Sequence, residues 1–106
     1  MKLEERAAQF WSLLAFAAHN QKILSYRMVE ELTGIPRFGM ANILGQIQSY
    51  CLDSNLPPLT CIVVAEDTGL PKEGFIGAPI EDIFREQARV FIFDWKSHKP
   101  PFLGKS

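Results

Sequence analysis

The chain has 106 residues, of which 47% are hydrophobic and 11% aromatic, and its 11 Lys and Arg stand against 12 Asp and Glu for a formal charge of −1. That length and apolar content suit one domain around one core, and the near-neutral balance excludes the broad basic field that drives non-specific nucleic-acid binding, so any DNA contact has to come from a local patch. Only Cys51 and Cys61 occur; their separation fits neither a zinc pattern nor a secreted disulfide framework, which points to a reducing, cytoplasmic setting with no metal and no cofactor.

Leu3, Ala7, Phe10, Trp11, Leu14, Ala15 and Ala18 recur every three or four residues, the spacing of one broad apolar stripe on a helix. Glu4, Glu5 and Arg6 precede the apolar middle of this segment, and Gln9, Ser12 and His19 interrupt or bound it. It therefore reads as neither a signal peptide nor a span of roughly 20 uninterrupted apolar residues, and no membrane is expected as a partner. A short strand at Ile23-Leu24 comes next. Ser25 is a good N-cap for a second helix through "YRMVEEL", and Thr33-Gly34 ends it, since Gly takes the left-handed conformation cheaply.

Pro36 suits the first turn of a third helix, whose inner face carries Met40, Ile43, Leu44, Ile47, Tyr50 and Cys51. "LDSNLPP" is a loop barred from helix by its prolines. The β-branched density of "LTCIVVAE" predicts a strand, with Cys61, Val63 and Ala65 on one face and Ile62 and Val64 on the other. "DTGLPKEGF" is a turn leading back to an extended segment near Phe75-Ile76, and the two strands make a β-hairpin. From Pro79, Ile80, Ile83, Phe84, Gln87, Ala88, Phe91 and Ile92 stand at helical spacing, with Glu81 and Asp82 at the positive end of the dipole. "RVFIFDW" also fits a strand, because Val90, Ile92 and Asp94 alternate with Phe91, Phe93 and Trp95, and both readings stay open. The tail from about residue 97 to 106 is extended and docks Phe102 or Leu103.

Helix, strand, two short helices about a tight turn, then a hairpin and a last helix or strand is the order of an α+β winged helix. The expectation is a single winged-helix-like domain over 1–106 with three N-terminal helices and a β-hairpin wing.

"LSYRMVEELTG" resembles the "SYGELA…G" stretch that opens the DNA-binding half of the alkylguanine-DNA alkyltransferases and their catalytically dead alkyltransferase-like relatives. "LPPLTCIVVAEDTGLPKEGF" is similar to the segment that carries "PCHRVV…DG…GGF" in that family. The resemblance covers about half the chain, from Ser25 to Phe75, and implies a DNA-facing winged helix. By that resemblance Tyr26 matches the tyrosine that contacts the DNA backbone. The family's intercalating arginine finger, which holds the stack open after a base is flipped, falls near Phe38; an apolar wedge can also unstack a base step. With Val63-Val64 on the family's paired valines, the nucleophilic Cys position falls on Thr60, while Cys61 and Ile62 take the His and Arg places. The Pro-Cys-His-Arg motif is thus absent, and neither the family's amino-terminal domain nor a counterpart of the first helix can be matched. The resemblance implies no transferase activity.

No catalytic residue is assigned. A reactive thiol needs a neighbouring base or positive charge, and "TCIVV" offers neither, so Cys61 reads as structural. His19 and His98 are lone histidines that read as surface or capping groups. Glu30-Glu31, Glu66-Asp67 and Glu81-Asp82 read as solvated or dipole-satisfying carboxylates. "GLPKEGFIG" lacks the spacing of a phosphate loop.

The cations near the second helix, the head of the third and the wing are Lys22, Arg27, Arg37 and Lys72, a set able to meet phosphates from one side. The expected contacts to double-stranded DNA are Tyr26, Arg27, Arg37, Phe38, Asn42 and Lys72, without enzymatic activity. The alternative is a protein-interaction module on the same scaffold, such as a small bacterial or phage-type immunity or regulatory partner. "FIFDW" and "KPPFLG" gather four aromatics and two prolines, which with Phe10, Trp11 and Phe16 complete the core or form a homodimer or partner surface.

Overall fold

The computed structural model describes residues 2–72 and 78–98. Among the described residues, four α-helices and a two-residue parallel strand pair make up a mostly helical α+β arrangement: α1 (Leu3–His19), β1 (Leu24–Ser25), α2 (Tyr26–Thr33), α3 (Met40–Asp53), β2 (Val63–Val64) and α4 (Ile83–Ile92). Short 3₁₀ turns at Arg37–Gly39, Leu59–Ile62, Ile80–Asp82 and Trp95–Ser97 lead into or out of these elements.

Local chemistry accounts for the helix ends. The Lys2 N–H donates to Glu5 Oε1 at 2.8 Å at the start of α1, and the Asn20 side-chain amide donates to Phe16 O at 2.9 Å at its close. Ser25 Oγ accepts from the Met28 N–H at 3.1 Å and caps α2. Gly34 ends that helix at φ 76, a left-handed position that only glycine takes without strain. Pro36, with φ −67, opens the 3₁₀ turn that runs into α3.

The stripe on α1 forms the centre of the molecule. Ala7, Phe10, Trp11, Leu14, Ala17 and Ala18 are buried against Ile43, Ile47 and Cys51 of α3 and Val90 of α4. Trp11 meets Tyr50 and Trp95 edge to face, with centroids 5.6 and 5.5 Å away. The Trp95 indole N–H donates to Val90 O at 2.7 Å, so this ring is buried with its polar atom satisfied. The aromatic carboxy-terminal segment thus supplies part of the core through Trp95, with Phe91 and Phe93 half-buried beside it. The ambiguity over "RVFIFDW" resolves as helix to Ile92, extended backbone at Phe93, then a 3₁₀ turn.

The "LTCIVVAE" strand needs correcting. Leu59–Ile62 coils as a 3₁₀ turn and only Val63–Val64 is strand. Every residue from Pro57 to Ala65 is buried, so the alternation of faces expected for Cys61 to Ala65 does not occur. The Cys61 carbonyl is satisfied by the Gln87 side-chain amide of α4 at 3.0 Å rather than by a ladder partner. Among the described residues the partner of β2 is β1, in parallel, with Leu24 opposite Val63 and Ser25 opposite Val64. The returning strand near Phe75-Ile76, and hence the hairpin wing, lies outside the described residues, as do Phe102 and Leu103 of the tail.

Two glycines with open space around the position of a Cβ separate strain from packing. Gly34 has a positive φ and Gly45 is helical, and nothing lies within 4 Å of either. Gly34→Ala is expected to destabilise by about 1 kcal/mol through backbone strain alone, whereas Gly45→Ala is expected to stabilise by about 0.5–1 kcal/mol by restricting the unfolded chain. Thermal melts of the two variants should shift in opposite directions.

Candidate functional site

The β1–β2 pairing brings the first turn of α2 beside the chain that leaves β2. The Glu66 carboxylate accepts from the Arg27 N–H at 2.7 Å and from Arg37 Nη2 at 2.7 Å, and Glu30 stands 3.8 Å from Arg37 Nε on the other side. The Glu66-Asp67 pair, expected from the sequence to be solvated, is therefore divided in role: Glu66 ties α2 to the turn before α3. Its own backbone N–H, then those of the Arg27 amide and the Arg37 guanidinium, hold its carboxyl below the usual carboxylate range.

After Glu66 the chain turns back: the Gly69 N–H donates to Ala65 O and the Ala65 N–H to Leu70 O, both at 2.9 Å. This delivers Lys72 to Tyr26. The Lys72 N–H donates to the Tyr26 hydroxyl at 3.2 Å, and its ammonium lies 5.1 Å from the centre of the Tyr26 ring, within cation–π range.

A cavity of about 180 Å³ opens between these elements. Tyr26, Arg37 and Lys72 line it together with Met40, Leu44 and Gln48 of α3, Thr60 and Pro71. The two charged lining residues are both cations. Thr60 is 6% exposed, and its Oγ1 is buried with no hydrogen-bond partner among the described residues.

Three of the six residues expected to contact DNA, Tyr26, Arg37 and Lys72, thus share one cavity. Phe38 does not line it but stands between Arg37 and Met40, which do, and 89% of its surface is exposed. Asn42 is exposed in the first turn of α3, and the Arg27 side chain is exposed beside Glu66. Thr60, Glu66 and Gln48 were not expected as site residues from composition or spacing. Thr60 carried one signal, its coincidence with the nucleophile position in the family resemblance.

Other chemistry-bearing residues lie elsewhere. Cys61 is fully buried, and burial, reinforced by the charge of Glu86, pushes its thiol up to about 12; burial raises the Cys51 thiol as well. His98 is not the lone surface residue its sequence context suggested, since Nε2 lies 3.0 Å from the Tyr50 hydroxyl and the ring 5.8 Å from Trp11. Among the described residues no group of His, Cys, Asp and Glu is gathered as a metal site, and no helix is long and apolar enough to cross a membrane. No family model matches the chain, and neither a curated protein nor a solved structure does.

The Glu66 tether has a pH signature. A carboxyl whose folded value is depressed contributes stability above its unfolded value, and that contribution is lost as pH falls through the folded value. Wild type is therefore expected to lose melting temperature below about pH 4.5, the ordinary glutamate value. Glu66→Gln should show a shallower fall in that window, with residual slope from Asp94, which the Ser97 hydroxyl holds low. Melts recorded from pH 7 to pH 3 check both.

Proposed function

We propose that the chain is a non-enzymatic, winged-helix-like DNA-binding protein of the alkyltransferase-like kind, which contacts phosphates through Arg37 and Lys72 and inserts Phe38 as a wedge beside the cavity that receives an extruded base. The observation that carries this reading is Phe38: a phenyl ring 89% exposed, on the turn that enters α3, next to a cavity whose charged lining residues are both positive. An apolar ring held in water gains by intercalating at a base step, and apolar wedges of this kind unstack and kink duplexes. Extrusion then needs a pocket to hold the base.

The family resemblance supports the same surface, since it assigns the tyrosine to Tyr26 and the finger to Phe38. The non-enzymatic part is supported by Cys61, whose thiol stays protonated at neutral pH, and by the lining of the cavity, which among the described residues offers no His, Asp or Glu to activate the Thr60 hydroxyl.

A second reading, a protein-interaction module, is favoured by a different surface. Ile80, Phe84 and Ile92 are large apolar residues exposed along α4 and the turn before it, and a stripe of this kind suits a protein contact or a homodimer.

Titration of a labelled duplex of about 25 base pairs, at roughly 50 mM and then 200 mM salt, separates the two. The DNA reading expects affinity that falls steeply with salt, a slope lower by about one for Lys72→Glu or Arg37→Gln, and weaker binding by Phe38→Ala with an unchanged melting temperature. Absence of binding at low salt would overturn it. A self-association or partner complex that survives high salt and is lost in Phe84→Glu would favour the second reading.

A further inference from the structure

We propose that the cavity is a site for a small ring-bearing anion, free in solution, whose apolar ring lies against α3 and whose carboxylate or phosphate is held by Lys72 with help from Arg37. The proposal does not depend on the DNA-binding reading. An anion seated here would exclude a nucleotide from the same space.

The wall formed by α3 carries the argument. Ala41, Leu44, Gly45 and Gln48 line the cavity and stand at i, i+3, i+4 and i+7, on one face of the helix. Gly45 lies inside α3 without the positive φ that would call for glycine, and glycine weakens a helix at such a place. A Cβ there would meet nothing within 4 Å. The missing side chain thus leaves the wall open where a ring can lie close to the helix.

Lys72 supplies the partner for the anion. Its ammonium lies 5.1 Å from the centre of the Tyr26 ring, which also lines the cavity, and among the described residues it has no carboxylate partner. Arg37 is already shared between Glu66 and Glu30, so Lys72 is the principal contact and Arg37 an auxiliary one. No Asp or Glu stands among the described lining residues.

Size and lining select the ring. At about 180 Å³ the cavity is somewhat larger than an apolar cavity of about 150 Å³ that takes up benzene, and smaller than the roughly 300–1,000 Å³ of sites for drug-sized ligands. Met40, Leu44 and Pro71 give it apolar walls. One ring with one charged substituent matches both the volume and the lone ammonium.

Calorimetric titration of the full chain with benzoate, phenyl phosphate, benzyl alcohol and inorganic phosphate tests the site. A ring-bearing anion is expected to bind once per chain with a dissociation constant of roughly 1 mM or tighter, and the tighter of benzoate and phenyl phosphate identifies the acid group. Benzyl alcohol, a ring without charge, and inorganic phosphate, a charge without a ring, should each bind at least about tenfold more weakly. Lys72→Gln should weaken the ring-bearing anion by about tenfold. Gly45→Leu should abolish its binding while melting no lower than wild type. Should Gly45→Leu fail to fold, Gly45→Ala, expected to be the more stable protein, tests the same wall through a smaller loss of affinity. The site is overturned if neither ring-bearing anion binds, if inorganic phosphate binds as tightly as phenyl phosphate, or if the Gly45 substitutions leave binding undiminished. A chain that binds the anion as expected but no duplex at low salt overturns the DNA reading alone.

Discussion

The parallel pairing of β1 with β2 is the constraint on which the rest of the site depends. Two residues a side, Leu24 with Val63 and Ser25 with Val64, contribute little stability as a sheet. Their effect is positional, because the residues after one strand are brought beside the residues after the other. Tyr26 and Arg27 come directly after β1; Ala65 and Glu66 come directly after β2. Once the register is set, Glu66 can accept from the Arg27 N–H, the turn from Ala65 to Leu70 can fold back, and Lys72 can reach the Tyr26 hydroxyl. A slip of one residue would turn Val63 and Val64 over and undo each of these contacts. The segment leading into β2 is anchored outside the strands, since Leu59–Ile62 is buried against α1, α3 and α4.

Electrostatics in the site orient more than they stabilise. Arg37 is shared between Glu66 and Glu30 while 37% of its side chain stays exposed, and exposed ion pairs of this kind contribute little to folding. Their value is in fixing where the guanidinium points. The same two carboxylates lower the local positive potential around Arg37.

Elements whose cause is local were legible in the sequence. The apolar stripe of α1, the Ser25 cap and the left-handed Gly34 each arise from a few adjacent residues and stand where spacing indicated, whereas Pro36, expected in the first turn of the third helix, precedes a 3₁₀ turn and the helix begins only at Met40. "LTCIVVAE" was misread because β-branched density describes a residue that is buried on both sides as well as one in a strand, and local period does not separate them. A contact distant in sequence accompanies the 3₁₀ turn at Leu59–Ile62: the Gln87 side-chain amide of α4 donates to the Cys61 carbonyl. The site divides the same way. Arg37 and Lys72 could be named from their segments and Tyr26 from the family resemblance, whereas Glu66 gains its role only through tertiary contact with α2 and the turn before α3.

That 3₁₀ turn also decides which side chain meets the cavity. In an extended strand Thr60 and Cys61 would face opposite sides of a sheet; coiled as they are, Thr60 lines the cavity and Cys61 is fully buried within the core. The thiol, the stronger nucleophile, is thereby kept from solvent and held protonated, while the hydroxyl beside the cavity has no base among the described lining residues to activate it. The arrangement keeps the buried thiol and the cavity apart.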